Sequence, residues 1–423
     1  MTSSTRLVVL AGGAPLAAAV LVLLASGFAR PARQLNVLLI TLDTTRADRL
    51  SPYGLMDASM PHLERLAREG VVFDRAYSVA PLTLPAHATL LTGLLPPGHG
   101  VRDNADAALA ETHTTLAELL GARGYRTGAF VGSVVLGADR GLAQGFDVYG
   151  GVEPRALLSQ SLQRRGDAVV SDALDWLRTA GDSTFLLWTH LYDPHAPYDP
   201  PEPYGSTHVD PYVGEIMFAD AQIGRLLDVL DRRRLTERTL VVVVGDHGEG
   251  LGEHGEATHG LFVYDAVLRV PLIVRAPAIK SRRVADLASL TDVLPTIVEL
   301  LGLPTHSSDG WSLVPALRGE AGPARELYAE SLYGLRFGGA PSLTLRDERY
   351  KLISGRRTEL YDLARDPFET RNIAQERGSV ADAMRRHLDA VAGRLPARAD
   401  RAAPGAPSDL RERLAALGYT GHK

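Results

Sequence analysis

Short, uninterrupted apolar runs are the feature that most limits how this chain can fold. Residues 36–42 read NVLLITL and residues 239–245 read TLVVVVG, and residues 185–190 and 271–275 are similar. Stretches with the spacing of amphipathic helices lie between them, at residues 61–69, 114–123, 168–179, 215–232 and 291–301. Apolar strands that alternate with helices are typical of a mostly parallel central sheet sandwiched by helices. We therefore predict an α/β fold.

The pattern changes after residue 306, and this divides the chain. Residues 342–363 (SLTLRDERYKLISGRRTELYDL) alternate in polarity and contain turn residues, which predicts a small antiparallel sheet. Residues 395–407 are rich in Ala, Arg and Pro and resemble a linker, and a last short helix is predicted at 409–417. We predict four segments: an N-terminal leader at 1–33, a main α/β domain at 34–306, a C-terminal subdomain at 307–394 that completes the fold, and a linker with a terminal helix at 395–423.

The N-terminal leader determines the expected compartment. Residues 7–28 (LVVLAGGAPLAAAVLVLLASGF) carry no charge, Arg6 precedes them, and Arg30 and Arg33 follow. The run is longer than the roughly 7–15 residues of a signal-peptide core and reaches the roughly 20 that span a bilayer. It is therefore a signal peptide or an uncleaved membrane anchor. Either predicts a periplasmic or other extracytoplasmic protein, and the anchor would make the membrane a partner.

Composition excludes several classes of function. Apolar residues make up 45% of the 423 residues and charged residues 22%, which is typical of a folded protein. The formal net charge of −5 argues against binding of nucleic acid through phosphate neutralisation. Cysteine is absent from the chain, which excludes disulfides, thiolate metal sites and a cysteine nucleophile.

Two aspartates follow the two strongest strand predictions. Asp43 comes directly after residues 36–42, and Asp246 comes directly after residues 239–245 and precedes His247. Ligands bind beyond the carboxyl ends of strands in such sheets. A single aspartate there is more often a cap or turn residue, but two of them, one beside a histidine, indicate a metal site. Mixed oxygen and nitrogen ligands suit Zn²⁺ or Mn²⁺.

Two other segments carry side chains that could act on a substrate. In TLPAHATLLTG, residues 83–93, Pro85 suits the first turn of a helix and Thr83 lies where an N-cap belongs. The alternative makes Thr83 a nucleophile whose anionic ester the helix N-terminus would stabilise, with His87 orienting it or donating a proton. In HLYDPHAPY, residues 190–198, His195 lies between two prolines on a turn, and we interpret Asp193 as structural.

Taken together, the motifs resemble the sulfatase family within the alkaline-phosphatase superfamily. They run in order from about residue 35 to 375 and read NVLLITLDTTRAD, TLPAHATLLTGLLPPGHGVRDN, YRTGAFVGS, HLYDPHAPY, GDHGEGLGEHGEATHG, YDAVLRVPLIVRAP, TDVLPTIVELLG and ELYDLARDPFETRNIA. The resemblance implies that residues 34–306 form the catalytic domain. It also implies one divalent metal on Asp43, Asp246 and His247, with Thr83 as nucleophile and remaining ligand.

The resemblance assigns further roles, listed here by position. Asn104 and His195 match residues that contact the transferred group, His87 replaces a usual arginine, Ser133 stands where many sulfatases have a lysine that binds the substrate, and His259 lies beside the position of a second such lysine. With those lysines absent, the histidines His87, His195 and His259 would act around the leaving oxygen. We expect His195 or His259 to protonate it.

The departures from the family pattern decide the predicted chemistry. Family sulfatases use a cysteine or serine that is converted to formylglycine, and threonine cannot undergo this conversion. Thr44 replaces the usual second acid, which favours Mn²⁺ or Zn²⁺, with Ca²⁺ as the alternative. We predict a metal-dependent hydrolase of phosphoric or sulfuric esters acting through Thr83. The alternatives are an arylsulfatase-like sulfuric ester hydrolase and a phosphoryl-group transferase on envelope lipids or glycans. The substrate would be a small-molecule, glycan or lipid ester.

Overall fold

The computed structural model describes residues 34–105, 108–152 and 163–394. The predicted signal or anchor segment at 1–33 and the predicted linker and helix at 395–423 lie outside the described residues. Among the helices within the described ranges, none is both long enough and apolar enough to cross a membrane.

A nine-stranded sheet forms the centre of the described chain. Its strands run in the order β4-β3-β5-β1-β6-β8-β2-β7, and β9 pairs with β2. In chain order they are β1 (Asn36–Leu42), β2 (Val71–Tyr77), β3 (Arg126–Val131), β4 (Val148–Gly150), β5 (Phe185–Leu191), β6 (Thr239–Gly245), β7 (Arg269–Val270), β8 (Leu272–Arg275) and β9 (Arg282–Ser289). Strands β3, β4, β5, β1 and β6 are mutually parallel.

Helices cover both faces of this sheet because its central strands are apolar on both sides. In β1, Val37 and Leu39 belong to one buried apolar layer, and Leu38 and Ile40 belong to the other. The helices are α1 (Pro61–Glu69), α2 (Thr83–Thr92), α3 (Pro96–His99), α4 (Leu116–Gly121), α5 (Gly166–Thr179), α6 (Tyr204–Thr207), α7 (Pro211–Arg232), α8 (Asp265–Leu268), α9 (Val293–Leu300), α10 (Val314–Arg318) and α11 (Gly378–Arg394). The predicted mostly parallel, helix-covered sheet is confirmed.

The C-terminal part of the described chain forms a separate antiparallel sheet. Its strands pair in the order β10 (Leu327–Ser331), β11 (Ser342–Arg346), β12 (Tyr350–Ser354) and β13 (Thr358–Asp362). One face shares an apolar cluster with Tyr77 at the end of β2, and the other packs against α11. The antiparallel sheet predicted at 342–363 is confirmed, and β10 extends it. The domain boundary at residue 306 stays a prediction.

Several elements differ from the sequence-based expectation. The predicted helix at 291–301 is a 3-10 turn, Leu290–Asp292, followed by α9. Strands β2, β3 and β9 were not predicted. Strands β2 and β9 contain charged residues, such as Asp74 and Arg283, that stay partly exposed and break the apolar run.

Candidate active site and metal centre

Parallel pairing brings the two strand-end aspartates together. Strands β1 and β6 pair in a register that places Leu42 opposite Gly245, so that Asp43 and Asp246 follow side by side. Both side chains are fully buried. The carboxyl ends of parallel strands meet at one edge of the sheet, which is where ligands bind in such folds.

His247 directs a ring nitrogen at the same point. Its Nδ1 lies 2.9 Å from the Gly248 carbonyl oxygen, which can only accept, so Nδ1 carries the proton and Nε2 presents a lone pair. That Nε2 lies 3.6 Å from Asp246 Oδ2, 3.9 Å from Asp43 Oδ1 and 3.3 Å from Thr83 Oγ1. The four predicted metal ligands therefore converge.

The aspartates leave one oxygen each without a hydrogen-bond partner. These atoms, Asp43 Oδ1 and Asp246 Oδ2, are buried, whereas Asp246 Oδ1 accepts from the backbone N–H groups of Thr44 and His247. Burial raises the pKa of Asp43 to about 8, and burial with the nearby Asp43 raises that of Asp246 well above its usual range. Unpaired buried carboxylates are costly, and a divalent cation would satisfy both. The donor set therefore fits a metal ion.

Thr83 is not the N-cap of its helix. Leu82 occupies the cap position with extended backbone angles, and Thr83 is the first residue of α2. The predicted cap is therefore wrong. The backbone N–H of Leu84 instead donates to Asn104 Oδ1 at 2.9 Å. Because Asn104 performs the capping, the Thr83 hydroxyl lies toward His247 and Asp43.

His87 lies one turn along α2, with both ring nitrogens engaged. Nδ1 donates to the Thr83 carbonyl at 2.8 Å, and Nε2 accepts from the Thr41 hydroxyl at 3.0 Å. Trp188 Nε1 donates to the same hydroxyl and fixes its direction. Burial lowers the pKa of His87 well below 6.5, so the ring is neutral. These contacts suit a side chain that positions Thr83, and the catalytic role of His87 stays a prediction.

His195 and His259 form an edge-on pair beside His247. The ring centroids of His195 and His259 are 5.1 Å apart, and those of His247 and His259 are 4.5 Å apart. His259 Nδ1 lies 3.0 Å from Glu249 Oε1. Although burial alone would lower the pKa of His259, Glu249 and then Asp43 raise it above its ordinary value. Burial lowers the pKa of His195 to about 3, so this ring is neutral.

The remaining predicted residues occupy the same edge of the sheet. Ser133 is buried two residues after β3, and its hydroxyl makes no capping bond to the 3-10 turn that it precedes. Asn104 Nδ2 is buried and unpartnered, although the same side chain caps α2. Asp193 accepts from the Gly166 N–H at the start of α5, as expected of a structural residue.

Two residues of the site were not predicted from the sequence. His190 Nε2 lies 3.1 Å from Asp43 Oδ2, and the Gly132 N–H donates to its Nδ1, so Nε2 carries the proton given to Asp43. Glu249 is fully buried and accepts from Tyr198 and His259. The pairing of β1 with β5, which places Thr41 opposite His190, was the available signal for His190. Glu249 lies two residues after His247, and its contact with His259 distinguishes it from Glu256, which is also buried but accepts from the Leu261 N–H.

Comparison with known proteins finds sulfatases and a phosphonate monoester hydrolase. The chain is 24% identical to a Delta 4,5-hexuronate-2-O-sulfatase of Bacteroides thetaiotaomicron, over 81% of this chain and 85% of that one. It is 28% identical to an ulvan-active sulfatase of Formosa agariphila, over 80% and 76% respectively. The crystal structure of the phosphonate monoester hydrolase of Agrobacterium radiobacter superimposes with a TM-score of 0.74 at 22% identity, covering 86% of this chain and 96% of that one.

The fold and the site define an ester hydrolase with a candidate metal centre at the carboxyl edge of its sheet. Residues 35–303 match the family model described as Sulfatase, and residues 252–393 match the model for the C-terminal region of N-sulphoglucosamine sulphohydrolase. The chain belongs to the sulfatase family.

Proposed function

We propose that this protein is a metal-dependent hydrolase of phosphoric esters in which Thr83 is the nucleophile. The observation that carries the proposal is the direction of the Thr83 hydroxyl. Asn104 caps α2 in its place, and Thr83 Oγ1 lies 3.3 Å from His247 Nε2, among the unpaired aspartate oxygens. A hydroxyl is a weak nucleophile and needs this kind of activation.

The threonine favours phosphorus over sulfur. A sulfatase with formylglycine releases sulfate by elimination through a second hydroxyl on the same carbon. Thr83 carries one hydroxyl, so its covalent ester must be broken by attack at the central atom. A phosphoryl group on threonine can be hydrolysed in this way, whereas a sulfated threonine lacks the second hydroxyl that assists the release of sulfate.

In the proposed mechanism, one divalent ion would be held by Asp43, Asp246, His247 and Thr83. Mn²⁺ or Zn²⁺ fits the mixed ligands better than Ca²⁺. The ion would lower the pKa of the Thr83 hydroxyl and polarise a phosphoryl oxygen. Thr83 Oγ1, after its proton is released to solvent, forms a bond to phosphorus as the bond from phosphorus to the leaving oxygen breaks and His259 protonates that oxygen. Water then attacks phosphorus and gives a proton to the neutral His259, the bond from phosphorus to Thr83 Oγ1 breaks, and Thr83 Oγ1 takes up a proton from solvent.

His259 is the better placed of the two histidines to protonate the leaving oxygen. The buried carboxylate of Glu249 contacts its Nδ1 and would stabilise a charged ring. His195 Nδ1 donates to the Ala196 carbonyl, and its ring stacks on Tyr192 at a centroid distance of 4.5 Å. His195 would therefore contact the transferred group as a neutral side chain, together with Asn104 and Ser133.

The sequence outside this site and the relatives bear on the compartment and the substrate. The apolar run at residues 7–28 supports export to the periplasm or another extracytoplasmic space, and attachment to the membrane if the run is retained. The substrate would be a small-molecule, glycan or lipid ester, and relatives named for ulvan and hexuronate sulfation supply the glycan example.

A panel of nitrophenyl esters tests the reaction class. Sulfate, phosphate monoester, phosphodiester and phosphonate would be offered to the full-length protein with Mn²⁺, Zn²⁺ or Ca²⁺. We expect a phosphorus ester with Mn²⁺ or Zn²⁺ to be turned over fastest. A clear preference for sulfate would replace this proposal with sulfuric ester hydrolysis, which the names of the relatives favour. Transfer to an added alcohol in preference to water would indicate a transferase.

The substitution Thr83→Ala tests the nucleophile. We expect turnover to fall at least about 10³-fold, while bound metal, measured by elemental analysis, stays near one ion per chain because Asp43, Asp246 and His247 remain. Thr92→Ala is the matched control, because Thr92 is a buried threonine of the same helix whose hydroxyl donates to the Ala88 carbonyl. Its turnover should change less than about threefold. Retention of more than a few per cent of activity by Thr83→Ala contradicts the covalent scheme.

A further inference from the structure

We propose that the leaving alcohol of the substrate is apolar, and that it binds to Leu261, Leu335 and Phe337, which we call the apolar rim. This inference rests on the proposed function and adds a substrate class to it. The three side chains are 38%, 45% and 50% exposed, which is high for large apolar residues. Exposed apolar side chains grouped beside a reactive site are typical of ligand-binding surfaces.

Gly260 connects the rim to the reacting groups. It directly follows His259, the proposed proton donor, and directly precedes Leu261. A Cβ atom at Gly260 would lie 3.4 Å from Leu82 Cδ2 and 3.3 Å from Tyr333 Cδ1. Leu82 precedes the proposed nucleophile. Gly260 therefore lies beside both Tyr333, at the start of the rim segment 333–337, and Leu82, which precedes α2.

Two further contacts hold the rim segment in place. The Ser331 hydroxyl donates to the Gly260 carbonyl oxygen. The Tyr333 and Phe337 rings meet edge-to-face with centroids 5.2 Å apart. Tyr333 itself is buried, so it supports the segment, while Leu335 and Phe337 stay exposed to receive a ligand.

The cations near this segment are engaged with carboxylates. Arg336 Nε donates to Asp103 at 3.0 Å, and Arg102 Nε donates to Glu330 at 2.6 Å. An additional sulfate or carboxylate on the substrate would have to compete with these pairs. The rim is therefore better matched to a neutral aryl or alkyl group than to a polyanionic glycan.

Two of the three lysines are described, and both lie elsewhere. Lys351 is buried between Asp265 and Glu369. Lys280 follows β8, which is antiparallel to β6 and therefore ends at the edge of the sheet opposite Asp246. Lys423 falls outside the described residues. Binding of a multiply charged leaving group would need cations other than Lys280 and Lys351.

A pair of aryl esters tests the rim. The esters of 4-methylphenol and 4-hexylphenol have similar leaving-group acidity but differ by five methylenes. They would be made with the acid that the nitrophenyl panel identifies and offered to the full-length protein. We expect kcat/KM to be at least about tenfold higher for the hexylphenyl ester than for the methylphenyl ester, because its five additional methylenes would be partly buried against the rim.

Exchange of the rim should remove that preference. In the double variant Leu335→Ser and Phe337→Ser, kcat/KM for the hexylphenyl ester should fall toward that for the methylphenyl ester, so that the preference falls below about threefold. Phe368→Ser makes the same exchange at another exposed phenylalanine, 68% exposed, and should keep the preference. Equal turnover of the two esters by the unaltered protein would overturn the inference and leave the proposed function standing.

Binding of the free phenols separates the two proposals. Calorimetric titration should show tighter binding of 4-hexylphenol than of 4-methylphenol to the unaltered protein, and no difference for the double variant. If this binding is found but no ester is turned over, the apolar surface is kept and the proposed function fails. If the phenols bind equally, the apolar rim is rejected whatever the esterase activity.

Discussion

Two buried clusters of charged side chains differ in how they are neutralised. The first, which we call the ligand cluster, consists of Asp43, Asp246, His247 and Thr83 at the carboxyl edge of the main sheet. The second, which we call the paired cluster, consists of Asp265, Arg346, Lys351 and Glu369 between α8 and the C-terminal sheet. In the ligand cluster each aspartate leaves an oxygen without a partner.

In the paired cluster each carboxylate contacts a cation or a backbone donor. Lys351 Nζ lies 2.7 Å from both Asp265 Oδ1 and Glu369 Oε1, and Arg346 donates to Asp265 Oδ2 at 3.0 Å. The Asp265 N–H donates to Glu369 Oε2. The paired cluster contains its own cations, although the contact of Lys351 with Glu369 Oε1 lacks hydrogen-bond geometry and Arg346 Nε has no hydrogen-bond partner. It connects the C-terminal sheet to α8, which follows the loop that contains His259. In the ligand cluster, the proposed divalent ion would supply the positive charge.

The largest expected effect is on stability, from Lys351→Met. Removing the lysine leaves the buried carboxylates of Asp265 and Glu369 short of one positive charge. Breaking a buried ion pair on one side costs about 3–5 kcal/mol. We expect a loss of that size in the free energy of unfolding, measured by urea titration at pH 7.

The exposed Lys280 provides the matched control for this substitution. Lys280→Met removes the same side chain from a solvent-facing position and should change stability by less than about 0.5 kcal/mol. Equal and small effects of the two substitutions would show that the paired cluster does not stabilise the fold.

The ligand cluster should respond to metal, and the paired cluster should not. A divalent ion at about 100 times its dissociation constant stabilises the folded state by about 2.7 kcal/mol. We expect Mn²⁺ or Zn²⁺ to raise the melting temperature of the unaltered protein and EDTA to reverse the rise. Asp43→Asn should remove most of this response. It should also stabilise the metal-free protein, because an unpaired buried carboxylate is lost.

Asp193→Asn is the control for the metal experiment. Asp193 is a half-buried aspartate near the site, but it accepts from Gly166 at the start of α5. Its variant should lose some stability and keep the metal response. A metal response that survives in Asp43→Asn but is lost in Asp193→Asn would place the ion elsewhere.

The contrast between β1 and β9 shows how much of the fold could be predicted. Strand β1 is buried along its whole length, so its apolar run is visible in the sequence. Strand β9, which includes Arg283, is buried at only some positions, and its pairing with β2 comes from tertiary contact. An apolar run in the sequence indicates a strand that is buried on both faces. The local sequence does not indicate which strand will pair with a strand of mixed polarity such as β9.

The candidate site shows the same division. Asp43 and Asp246 could be predicted because each directly follows an apolar run whose end is visible in the sequence. The capping of α2 by Asn104 and the contact of His190 with Asp43 depend on side chains that are distant in the chain. The placement of Thr83 as an N-cap was wrong because the helix begins one residue earlier than its local sequence suggests.

The smallest expected effect concerns Glu369 and sharpens the comparison within the paired cluster. Burial raises the pKa of Glu369 to about 7, whereas Asp265, which contacts both Lys351 and Arg346, has its pKa lowered to about 2 despite burial. A carboxyl with a raised folded pKa binds its proton more tightly when folded. Its contribution to stability is therefore present below the unfolded pKa of 4.5 and lost as the pH rises to about 7.

Unfolding by urea at intervals between pH 5 and pH 7.5 measures this loss. In the unaltered protein Glu369 should contribute a downward slope of at most about 1.4 kcal/mol per pH unit, the value for a one-proton difference. Glu369→Gln should flatten the profile in this window, while Glu376→Gln, at an exposed glutamate paired with Arg371, should leave it unchanged. An unaltered slope in Glu369→Gln would mean that Lys351 keeps the carboxylates of both Asp265 and Glu369 ionised. The paired cluster would then hold two full ion pairs at neutral pH. Of the two clusters, only the ligand cluster would contain acids that need an external cation.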